Sequence, residues 1–133
     1  MDNQTGKPEP RADTARPAES GSAPIVVAIS SNTMGRGDDE LGLVLIRSHL
    51  HALGEVAPKP DTLILFNTGV LLAAEGSPVL DDLRLLAEQG VHIILCGTCV
   101  SHFSLKERTA VGEVSNMYTI SETMMRAGKV INL

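Results

Sequence analysis

The chain has 133 residues, enough for one domain, with 43% hydrophobic and 20% charged residues and a formal net charge of −5. Its only aromatic side chains are Phe66, Phe103 and Tyr118, so neither a base-stacking platform nor a basic groove for nucleic acid is expected. No apolar run approaches the roughly 18 residues of a membrane span and no secretory signal is visible; a cytoplasmic location with reduced thiols is expected.

Residues 1–23 carry Pro8, Pro10 and Pro17 but no Val, Leu, Ile or aromatic residue. Such a stretch buries too little apolar surface to offset its ordering entropy, which predicts a disordered proline-rich tail ahead of a domain over 24–133. The pattern changes at Ile25-Val26-Val27-Ala28-Ile29, a first strand, followed by a polar loop to Gly37. Asp38-Asp39-Glu40 opens a helix, with acidic groups suited to its first turn, and Gly54 closes it. Thr62-Leu63-Ile64-Leu65-Phe66 is a second strand; Asn67-Thr68-Gly69 is a loop ahead of a short helical stretch, Val70 to Ala74. Ser77-Pro78 predicts a helix start, and Gly90 ends that helix. The run Val91 to Leu95 is a third strand that delivers Cys96 at its carboxyl end. Further on come a helix or turn over Val100 to Glu107, a fourth strand at Ala110 to Val114, a helix capped by Ser115 and ended by Gly128, and a last strand from Val130. Wholly apolar strands alternating with helices predict an α/β, three-layer sandwich around a mainly parallel five-stranded sheet. Strand order is not set by the sequence.

In such a sheet the loops at the carboxyl ends of the strands gather on one edge, where ligands bind. The first, Ser30-Ser31-Asn32-Thr33-Met34-Gly35-Arg36-Gly37, can offer backbone N–H groups to an anion and contributes one cation, Arg36. It is neither a Walker A motif nor Gly-x-Gly-x-x-Gly, so a plain turn competes with that reading.

Cys96-Gly97-Thr98-Cys99 holds the only two cysteines. On spacing alone four readings stay open. The thiols are small core side chains; or half of a zinc site, for which only His92 and His102 lie nearby and no second pair exists; or a dithiol–disulfide pair; or a persulfide carrier with a neighbour that resolves or shields it. His49 and His51 sit at i, i+2 on a helix and share no face. His92 begins a strand and belongs at the opposite edge, while His102 faces solvent or assists a thiolate.

Four segments, in this order, carry a resemblance: Ser30 to Gly42, Phe66-Asn67-Thr68-Gly69-Val70, Cys96-Gly97-Thr98-Cys99, and Val111-Gly112-Glu113-Val114-Ser115-Asn116-Met117-Tyr118. Together they resemble the DsrE-like domain of YedF-type selenium-metabolism proteins, in the sulfur-relay group. The resemblance implies the DsrE-like fold and a sulfur, or selenium, relay of sulfurtransferase type. It puts the persulfide on Cys96 and an auxiliary thiol on Cys99. Asn32, Gly35, Arg36, Gly37, Asn67, Thr68, Gly97 and Asn116 would line the substrate pocket. It implies no cofactor or metal, a donor or acceptor protein of the TusA-like or cysteine desulfurase type, and a homo-oligomer. YedF-type proteins carry a TusA-like domain with a Cys-Pro-x-Pro motif ahead of this one; here the proline-rich tail stands in that place. Val100-Ser101-His102-Phe103-Ser104 replaces an acidic-aromatic stretch of the family. A thiol oxidoreductase and a non-catalytic ligand- or partner-binding module are the alternatives.

Overall fold

A computed structural model describes residues 23–133. The tail expected over 1–23 falls almost wholly outside the described residues. Five strands, β1 (Ile25–Ile29), β2 (Thr62–Leu65), β3 (His92–Cys96), β4 (Glu113–Ser115) and β5 (Lys129–Asn132), form one sheet in the order β4-β3-β2-β1-β5. Every pairing is parallel, so the expected α/β architecture holds and is parallel throughout. Four helices accompany them: α1 (Asp39–Leu53), α2 (Leu80–Glu88), α3 (Gly97–His102) and α4 (Met117–Arg126). A 3-10 segment spans Asn67–Ala73.

Alternate strand residues face opposite sides of a sheet, and the register sorts them into two cores. Val27, Ile29, Leu63, Leu65, Ile93 and Leu95 pack with Ile46 and Leu50 of α1 and with Leu83 and Leu86 of α2. Val26, Ile64, Ile94 and Cys96 face the other way and pack with Ile120 of α4. One amphipathic helix therefore shields the second face. Each fully buried aliphatic side chain contributes about 1.5–3 kcal/mol relative to exposure, which makes the central strands the stable frame on which the edge loops rest.

Several local expectations change. Asn116, not Ser115, caps α4: its side-chain oxygen accepts from the Thr119 N–H at 2.9 Å, while Ser115 completes β4. The fourth strand begins at Glu113 rather than Ala110. The Ala110 N–H is taken by the Ala73 carbonyl, Val111 packs against the first core, and Gly112 turns the chain at φ 92°. At Ser77-Pro78 the Ser77 hydroxyl accepts from the Val79 N–H, and the helix starts only at Leu80. The helix or turn expected over Val100 to Glu107 is a helix over Gly97–His102, beginning earlier, followed by turns. The short helical stretch from Val70 begins earlier, at Asn67, as 3-10 structure.

Candidate functional site

Cys96 ends β3 and is also the residue that caps α3, with extended backbone angles (φ −69°, ψ 120°). The two cysteines therefore bracket the first turn of a helix, a placement that sequence reading missed because glycine at position 97 looks like a helix breaker. Glycine is there for space: a Cβ on Gly97 would lie 2.7 Å from the Ser115 carbonyl oxygen. The strand-to-helix turn passes that close to the end of β4.

The two thiols differ sharply. Cys96 is 1% exposed and lies in the second core with Ile120. Cys99 is half-buried, touches both cores and is not in a disulfide. The backbone N–H of Asn67 donates to Cys99 Sγ at 3.0 Å. Burial pushes the Cys99 thiol above its ordinary value, the Asn67 N–H pulls it part of the way back, and the adjacent Cys96 sulfur pushes it up again.

Asn67 reaches this position through an unusual backbone. Its φ is 51°, a left-handed conformation that asparagine tolerates better than most residues. Its side-chain oxygen accepts the next N–H, from Thr68, at 2.8 Å. The Thr68 hydroxyl in turn accepts from the backbone N–H of Asn32 at 3.2 Å, joining the first and second loops. Gly69 permits this packing, since a Cβ there would strike the Ile29 carbonyl. Asn32 also lines a mostly apolar cleft of about 160 Å³ beside Ile46, Arg47 and Leu72.

Of the expected site residues, Asn32, Asn67 and Thr68 are thus linked by hydrogen bonds to one another and to Cys99. Gly97 lies in the turn between the thiols, and Asn116 follows β4 on the same edge. Gly35, Arg36 and Gly37 stand apart. All three are exposed, a Cβ on Gly35 or Gly37 would meet nothing within 4 Å, and among the described residues none bonds to either cysteine. His92 lies at the amino-terminal edge as expected, where its Nε2 is 2.8 Å from Glu113. Among the described residues no cluster of three or more His, Cys, Asp or Glu side chains is suited to a metal ion. No helix among them is long and apolar enough to cross a membrane.

This arrangement is shared, as a fold, with solved structures. The YchN protein of E. coli superposes with a TM-score of 0.65 at 20% identity, over 84% of this chain and 100% of that one. MTH1491 of Methanobacterium thermoautotrophicum gives 0.63 at 18% identity, with the same coverage. BT1422 of Bacteroides thetaiotaomicron gives 0.58 at 13%, over 82% of this chain and 94% of that one. No protein-family model matches the sequence, and no curated protein does either. The class these likenesses define is the α/β fold anticipated from the sequence as DsrE-like.

Proposed function

We propose that the protein carries sulfur, or selenium, as a persulfide on its Cys96–Cys99 thiol pair and relays it between a donor and an acceptor protein. The observation that carries this reading is the Asn67 N–H aimed at Cys99 Sγ, 3.0 Å away, in a loop held open by a left-handed asparagine. A half-buried thiol has little anionic character unless something compensates its lost solvation. A fixed backbone donor compensates a thiolate or a persulfide anion alike. Gly35, Arg36 and Gly37, exposed in a bent loop on the same edge, suit contact with an incoming partner better than direct contact with the sulfur. The partner expected from the resemblance is a TusA-like protein or a cysteine desulfurase, in a cytoplasmic setting.

The exposed apolar residues Met117, Tyr118 and Met125 on α4, and Val130 on β5, favour a second copy of the chain as cover for the thin side of the sheet. A dithiol oxidoreductase is the second reading, favoured by the place of Cys96 at the start of α3. The deciding experiment is intact-protein mass spectrometry after incubation with a cysteine desulfurase and cysteine, followed by peptide mapping. A relay takes sulfur from the donor, read as a reductant-labile sulfur atom on the pair or as sulfide released when the second thiol displaces it. An oxidoreductase cycles between dithiol and disulfide with small thiol substrates and never gains sulfur.

A further inference from the structure

The resemblance to sulfur-relay proteins assigns the sulfur to Cys96, but the two thiols are not equally placed to receive it. Cys96 is 1% exposed and buried in one cluster with Val26, Ile64, Ile94 and Ile120 of α4. An incoming persulfide cannot reach its sulfur without displacing the side chains packed around it. Cys99 is partly open and holds the one backbone donor aimed at either sulfur among the described residues. The pair brackets a single helical turn, with Cys96 at the cap position. That is the spacing at which two cysteines close a disulfide with a small tightening of the turn.

Resting on the sulfur-carrier reading above, we infer that Cys99 is the sulfur acceptor and Cys96 the resolving thiol behind it, so that the pair discharges bound sulfane sulfur as hydrogen sulfide. In the loading step the Cys99 thiolate attacks the terminal sulfur of a donor persulfide. A sulfur–sulfur bond forms at Cys99, the donor's own sulfur–sulfur bond breaks, and the departing donor thiolate takes up the proton that Cys99 had released. In the second step Cys96 attacks Cys99 Sγ. The Cys96–Cys99 disulfide forms, the bond to the terminal sulfur breaks, and sulfide departs with the Cys96 proton. The sulfane sulfur is reduced to sulfide while the two thiols are oxidised, so this turnover balances by itself. A small dithiol reopens the disulfide for the next one. An acceptor protein competes with the second step by attacking the terminal sulfur first. The buried position of Cys96 slows resolution and leaves time for that transfer.

The test uses the full chain, reduced and freed of reductant, with glutathione persulfide as donor. Released sulfide is trapped with a fluorogenic bimane, and each cysteine is located by peptide mapping. The wild type is expected to release about one sulfide per chain and to end as the Cys96–Cys99 disulfide. Cys96→Ala keeps the persulfide on Cys99 and releases no sulfide above background. Cys99→Ser neither loads nor releases. Cys96→Val is the second variant should alanine leave a cavity that unfolds the protein, and thermal unfolding checks each one. Loading of Cys99→Ser at the wild-type level, on Cys96, overturns the inference and leaves the carrier reading standing. So does a wild-type persulfide that persists beside a reduced neighbour. A wild type that takes up no sulfur and releases no sulfide overturns both.

Discussion

The backbone N–H of Asn67 donates to Cys99 Sγ at 3.0 Å, tying the loop after β2 to the helix after β3. The contact depends on a backbone conformation rather than on a side chain. Asn67 sits at φ 51° and closes its own turn through the Thr68 N–H. Asn67→Gly keeps both the N–H and the left-handed angle, and the rate of Cys99 alkylation at neutral pH should match the wild type. Asn67→Val does not: a β-branched residue there costs about 1–2 kcal/mol, and the loop relaxes away from the sulfur. Cys99 alkylation should then slow by about tenfold, the consequence of losing about 1.4 kcal/mol of thiolate stabilisation. Iodoacetamide labelling followed by peptide mapping reads the rate at each cysteine separately. Equal rates in the glycine and valine variants would remove the amide from the site.

Cys96 is buried in the same cluster as Ile120 of α4, and the first turn of α4 is capped by Asn116. The Asn116 side chain accepts the Thr119 N–H at 2.9 Å, one residue before Ile120, which shares the buried cluster of Cys96. Asn116→Ala should cost about 1 kcal/mol, or about 4 °C in melting temperature for a domain of this size. Fraying of that turn should also raise Cys96 alkylation in the native protein. Ser121→Ala, at an exposed position on the same helix, should change neither quantity. A stability loss with Cys96 still unlabelled would show that the rest of α4 alone keeps the thiol covered.

The parallel frame was legible in the sequence because its three central strands, β1, β2 and β3, are nearly continuous apolar runs, and Cys96 was legible as a strand-end residue for the same reason. What decides the site was not. Gly97 reads locally as a break, and only its approach to the Ser115 carbonyl explains why a helix starts there. Asn67 belongs to an ordinary-looking Asn-Thr-Gly loop; neither its left-handed angle nor the close approach of Gly69 to the Ile29 carbonyl is marked by local sequence. The same holds at β4, where Ala110 and Val111 have strand character but are drawn off to Ala73 and to the first core. The difference in exposure between the two cysteines depends on which face α4 crosses. That is a property of strand order, which no local pattern encodes.

His51 and His49 give the fold opposite responses to pH. Hydrogen bonding to Asp82, then the charges of Asp82 and Glu55, raise His51 above its ordinary 6.5, and its Nδ1 lies 3.1 Å from Asp82 across the α1–α2 seam. A base with a raised folded-state value gives stability that is fully present below 6.5 and is lost as pH rises through the folded value. His49 is half-buried on the same helix, and burial lowers it. Its neutral form therefore favours the fold above 6.5, and that contribution is lost as pH falls below it. His51→Ala should consequently destabilise the protein at about pH 5.5 and hardly at all at about pH 8.5. His51 is exposed and Asp82 is partly so, so the difference at the lower pH should shrink in about 1 M salt, where the screening length falls to about 3 Å. Urea midpoints of wild type and variant at the two pH values, with and without salt, provide the check. A loss of stability equal at both pH values would assign His51 a packing role instead of a charged one.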